Sequence, residues 1–155
     1  MNFKRTLIIL FILLCSACSS DDHTISVAAD DPEMLAAMAK GHETLPNFFE
    51  IYENPKNGES DFSLKMKISD GDLVEYFWMI NLKREGGKLY GEIGNDPDIV
   101  ANVKIGEKME ILDDQVVDWL YIRNEKIVGN FTIKPLLKHM SESEAKEYRE
   151  MLYEP

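Results

Sequence analysis

The stretch FSLKMKISDGDLVEYFWMINL, residues 62–82, decides the fold. In its first third Phe62, Leu64, Met66 and Ile68 alternate with Ser63, Lys65 and Lys67. That period of two puts the apolar side chains on one face of a half-buried strand. Asp70-Gly71-Asp72 has the chemistry of a tight turn. A second strand over 73–83 then carries Val74, Tyr76, Trp78, Ile80 and Leu82 on one face and Phe77 and Met79 on the other. Apolar residues on both sides mark a central strand covered on both faces.

The same logic extends outward. Gly86-Gly87 turns the chain into a third strand over 88–94, giving an antiparallel meander. Asn95-Asp96-Pro97-Asp98 interrupts it as a rigid turn. Further strands are expected near 107–112, 117–123 and 127–133, separated by Asp113-Asp114 and Asn124-Glu125 and stopped by Pro135. Upstream, Asp31-Pro32-Glu33 opens a helix with an acidic cap and proline at its first position. Met34, Leu35, Met38, His42, Leu45, Phe49 and Tyr52 form its apolar stripe through 32–53, with Pro46 expected to kink or split it. Downstream, Ser141 and Glu144 make a capping box for a helix over 142–152, with Ala145, Tyr148 and Leu152 on its apolar side. The expected fold is α+β: an antiparallel sheet of five to six strands flanked by an N-terminal helix and a short C-terminal helix, in one domain over 32–155. Gly106, Asp118-Trp119 and Gly129 follow the rhythm of SH3-like barrels, so the second half is expected to be partly barrel-like.

The N-terminus reads differently. Lys4 and Arg5 precede an unbroken apolar run, Leu7 to Leu14, and small residues follow it. This is the order of a secretory signal. As a helix the run rises about 12 Å, against a hydrocarbon core of ~30 Å, so it is too short for a permanent span. Cys15-Ser16-Ala17-Cys18 resembles a bacterial lipobox. The expectation is a signal over 1–17, lipid on Cys18, and a flexible polar tether through residue 31. Ser19, rather than Asp, points to the outer membrane of a Gram-negative host, with the domain facing the periplasm.

Composition narrows the partners. There are 17 basic and 28 acidic residues, a net charge of −11, and the signal removes only basic ones. Nucleic acid and anionic headgroups should be repelled, and basic protein partners favoured. Of the two cysteines, Cys15 leaves with the signal and Cys18 carries lipid, so the folded domain has no thiol for a disulfide, a nucleophile or a zinc site.

No catalytic constellation stands out. His23, His42 and His139 have no ligand spacing, and no H-E-x-x-H or G-x-S-x-G motif occurs. His42 reads as a packed helix residue. Asp96, Asp98, Asp113, Asp114 and Asp118 could gather as oxygen ligands, but turn capping accounts for them. No metal and no cofactor is expected. Trp78 and Trp119 read first as core. The alternative sets Trp119 on a groove, making Trp119, Asp118, Asn95, Asp96 and Asp98 the candidate binding surface.

An ordered set of short features carries a family resemblance: Glu43-Thr44-Leu45-Pro46-x-Phe48, Phe62-Ser63-Leu64-Lys65, Glu75-Tyr76-Phe77-Trp78, Gly91, Asn95-Asp96-Pro97, Gly106, Asp118-Trp119 and Gly129-x-x-Thr132. Over roughly residues 33–150 the chain resembles the YegJ-like family, a bacterial domain of unknown function. The resemblance implies a compact α+β domain and supplies no activity or cofactor. It adds a link to toxin–immunity gene neighbourhoods. The leading expectation is a non-enzymatic binding domain tethered to the envelope, with an immunity or inhibitor role as one option within that class. One alternative is a cell-wall hydrolase with paired carboxylates about 5–9 Å apart. Another is noncatalytic peptidoglycan binding.

Overall fold

The structure, a computed structural model, describes residues 31–153. The expected signal, Cys18 and most of the tether lie outside the described residues. α1 (Pro32–Glu43) starts as its sequence requires: the Asp31 carboxylate accepts the Met34 N–H at 2.8 Å, with Pro32 in the first turn. Pro46 splits the helix. A separate α2 (Leu45–Glu53) begins with that proline in its own first turn, where a missing N–H costs nothing. Thr44 joins the two helices, its hydroxyl donating to the Lys40 carbonyl at 2.7 Å.

Six strands follow: β1 (Ser60–Asp70), β2 (Leu73–Glu85), β3 (Lys88–Ile93), β4 (Lys108–Glu110), β5 (Val116–Arg123) and β6 (Lys126–Gly129). They form one antiparallel sheet in the order β4-β3-β2-β1-β5-β6. β2 lies at its centre, as the apolar run predicts, with β1 beside it. The sheet is open, which corrects the barrel-like second half: β4 is one edge and β5-β6 the other, so the strands of that half cannot close on one another. A short α3 (Ile133–Leu136) and α4 (Glu142–Met151) complete the chain, and the Ser141–Glu144 capping box of α4 is fully formed.

The core occupies one face of the sheet. Leu64, Met66, Phe77, Met79 and Ile93 are at most 1% exposed there, packed against Phe48 of α2. The loop between β3 and β4 contributes Val100 and Val103. Phe48, absent from the expected stripe, is fully buried, whereas Leu35 is half exposed and His42 lies on the surface. The stripe shifted because the break at Thr44 restarts the helical phase. On β2 the buried face is that of Phe77 and Met79. Val74, Tyr76 and Trp78 are half-buried on the opposite face, and Ile80 is exposed. Leu82 does not share that face. A bulge between Ile80 and Lys83, with Asn81 at φ 51°, turns Leu82 back onto the core.

Two expected strands are shorter. The 107–112 strand narrows to β4. The 127–133 strand stops at Gly129, because Gly129 and Asn130 take positive φ and turn the chain away. Pro135 therefore lies inside α3 rather than ending a strand.

Candidate functional site

The structure separates the five residues expected on one surface. Trp119 is 5% exposed, and its ring stacks on Tyr121 and meets Phe48 and Phe131 at centroid distances of 5.4–5.8 Å. Its indole N–H donates to Thr44 Oγ1 at 3.0 Å, tying β5 to the helix break. Trp119 is core. Asp118 is fully buried and belongs to no surface either. Asn95 lies across the sheet, its side-chain oxygen accepting the Trp78 N–H at 3.0 Å. Asp96 and Asp98 are exposed. The Asp98, Ile99 and Val100 amides all donate to the Glu75 carboxylate, so that loop is held by an acid the sequence did not single out. Burial pushes the Glu75 carboxyl up, but these three amides outweigh it and hold the group below the ordinary range.

Asp118 instead anchors a buried polar cluster. Its carboxylate accepts the Trp119, Phe131 and Thr132 amides at 2.8, 3.1 and 2.7 Å, and the Thr132 hydroxyl at 2.7 Å. These bonds pin the chain leaving β6 to β5. Burial holds the Asp118 carboxyl above its ordinary value, and the bonds from Thr132, Trp119 and Phe131 offset only part of that rise. Lys65, paired with Asp118 in register, donates from Nζ to Thr132 Oγ1 at 3.0 Å and lies 5.2 Å from the Trp78 ring centre. Burial pushes its amine down, opposed by the Asp118 charge. With Thr132 1% exposed, the cluster is closed to substrate and serves the fold.

A second clip closes the other end of β1. The Glu59 side chain is fully enclosed and accepts the Lys56 and Asn57 amides and the Arg123 guanidinium at 2.7–2.9 Å. Led by the Asn57 amide, these bonds overcome burial and hold its carboxyl at about 2.

The polar concavity lies elsewhere. Beyond Met66, β1 has no β5 partner, because β5 begins at Val116. The gap is a groove of about 520 Å³. Ile68, Val103 and Met109 give it apolar lining, and Lys67, Glu107 and Asp114 bring charge to it. The Glu107 carboxylate accepts the Lys104 amide at 3.2 Å. A partly apolar cleft with a few converging polar groups is the ordinary form of a ligand site. Sequence reading missed it: Lys67 looked like the wet face of a strand and Glu107 and Asp114 like turn acids, and only the long crossing from β4 to β5 brings them together. Among the described residues no three His, Cys, Asp or Glu side chains are grouped to hold a metal ion. His42 Nδ1 lies 3.1 Å from the Val116 carbonyl, His139 is exposed in a 3-10 turn, and His23 is outside the described residues.

Residues 31–152 match a family described as an uncharacterized protein conserved in bacteria, DUF2314. The chain belongs to this family. It is 32% identical over 144 residues to the uncharacterized protein YegJ of Escherichia coli strain K12, a match covering 93% of each chain, which upholds the YegJ-like resemblance. It is also 32% identical over 79 residues to a putative ankyrin repeat protein of Neisseria meningitidis serogroup B, covering 51% of this chain and 31% of that protein. No solved structure matches. The family match spans α1 through α4 and so includes both the Asp118 cluster and the groove.

Proposed function

We propose that the protein is an envelope lipoprotein, anchored through Cys18, whose domain is a non-enzymatic module binding a basic protein partner in the groove beside β1. The observation that carries this reading is Asp114 together with Glu107 on one groove of a chain with net charge −11. The acids most deeply engaged elsewhere, Asp118, Glu59 and Glu75, are consumed by backbone amides. Glu107 accepts one long bond from its own loop, and Asp114 stands in an exposed 3-10 turn. An acidic groove on an acidic surface attracts cations over a distance and speeds their encounter. Crosslinking capture from envelope extracts tests it. A basic protein held by wild type and lost with Glu107→Lys/Asp114→Lys is the expected result; the same catch from both proteins would count against the groove.

The same two carboxylates favour one second reading, a hydrolase acting on cell-wall glycan. Release of soluble fragments from purified peptidoglycan, abolished by Glu107→Gln and by Asp114→Asn, would replace the first reading with this one. Cosedimentation with peptidoglycan and no release would indicate noncatalytic binding.

A further inference from the structure

The two edges of the sheet are finished differently. At β6, Leu152 bridges to Ile127 and the Tyr153 N–H donates to the Ile127 carbonyl at 2.8 Å, so the chain's own end covers that edge. No described segment pairs with the outer side of β4. An unpaired strand edge is a template for another strand.

The ladder shows which groups this edge offers. The Ile93 N–H donates to the Glu107 carbonyl at 3.0 Å, the Ile111 N–H donates to the Leu89 carbonyl at 2.8 Å, and Gly91 faces Met109. The Glu107 carbonyl, Met109 and the Ile111 N–H therefore face β3. By alternation, the N–H and C=O of Lys108 and Glu110 point outward.

We infer that the chain pairs with a second copy of itself through this edge, antiparallel about a two-fold axis at Met109, with Lys108 of each copy opposite Glu110 of the other. Charge selects both the occupant and the register. Pairing centred on Lys108 would oppose two lysines, and pairing centred on Glu110 would oppose two glutamates. Among registers centred within β4, only the one centred on Met109 opposes unlike charges, and symmetry makes it do so twice. Each such pair exchanges two main-chain hydrogen bonds. Lysine on an edge strand often keeps other strands away. Lys108 is folded back instead, 4.8 Å from the Tyr90 ring centre and 2.6 Å from Glu85 Oε2, and Lys88 holds Glu110 at 2.7 Å. Both side chains stand over their own sheet and leave the edge accessible. Met109 also lines the groove beside β1, so pairing sets two grooves near one axis. The pairing itself does not depend on what the groove binds.

The test is sedimentation of the full chain, purified in detergent, over a range of concentrations. Wild type is expected to dimerise. Lys108→Glu and Glu110→Lys each oppose like charges, and each should weaken association by roughly tenfold or more. Mixing the two variants restores the dimer, because one copy then carries only acids and the other only bases at these positions. The double variant Lys108→Glu/Glu110→Lys dimerises alone. Circular dichroism checks that each variant keeps the fold. A wild type that stays monomeric overturns the inference, as does association indifferent to single charge reversals, which is what two lipid anchors sharing a micelle would give.

Discussion

Glu59 carries its charge where water does not reach, and that has a consequence for pH. Its carboxyl falls from an ordinary 4.5 to about 2 in the folded chain. As pH drops, the unfolded chain takes up this proton first. The stabilisation is therefore complete above about pH 4.5 and is lost as pH falls toward about 2. Glu59→Gln lacks this titration. The gap in urea midpoint between wild type and Glu59→Gln should be full near neutrality and close through that window. A gap that stays constant down to about pH 2 would show that some other carboxylate governs the acid limb. The residue scale is also where the sequence was least informative. Lys65 and Lys67 occupy equivalent positions in the alternation, yet Lys65 is drawn into the Asp118–Thr132 cluster while Lys67 reaches the groove. Lys65 meets Asp118 and Thr132, and Lys67 meets a groove lined by residues between Asn102 and Gln115, and no local pattern records that.

At the scale of elements, Gly41 decides how closely α1 approaches β5. A Cβ built there would lie 2.3 Å from the Val117 carbonyl oxygen and 2.8 Å from the Asp118 Cα, both backbone atoms. Gly to Ala in a helix ordinarily gains up to ~1 kcal/mol. Here overpacking should reverse the sign, so Gly41→Ala is expected to lose about 1–3 kcal/mol in chemical denaturation. A stabilised variant would mean that the helix is free to move off the strand. The helix starts, the turn at Asp70–Asp72 and the Ser141–Glu144 cap were legible because each is a local hydrogen-bonding pattern. The early end of β6 was not, because Gly129 turns there against the Trp119 carbonyl, a contact from the neighbouring strand.

At the scale of the whole molecule, the described α+β fold follows a segment that resembles a lipoprotein signal. No described helix is long and apolar enough to cross a membrane. If Cys18 is the attachment point, wild type takes up labelled palmitate. Cys18→Ala is then expected to take up none and to retain residues 1–17, which intact mass would show. Equal labelling of the two would remove the anchor from the proposal and leave the groove and the edge as separate questions.

By itself the sequence determined the period of β1, the antiparallel meander, the central place of β2, the caps of α1 and α4, and the family. These depend on neighbours within a few residues or on the ordered set of motifs. Only the tertiary structure decided which face of β2 is core. Both faces read as apolar, and the longer apolar row, Val74 to Ile80, is the one left partly open. The choice was made by α2 and the loop between β3 and β4 packing over Phe77 and Met79. The same long-range packing buried Asp118 and Trp119 and opened the groove at Asp114. Burial is set by what the chain brings from far away, and periodicity shows only that a face can be buried.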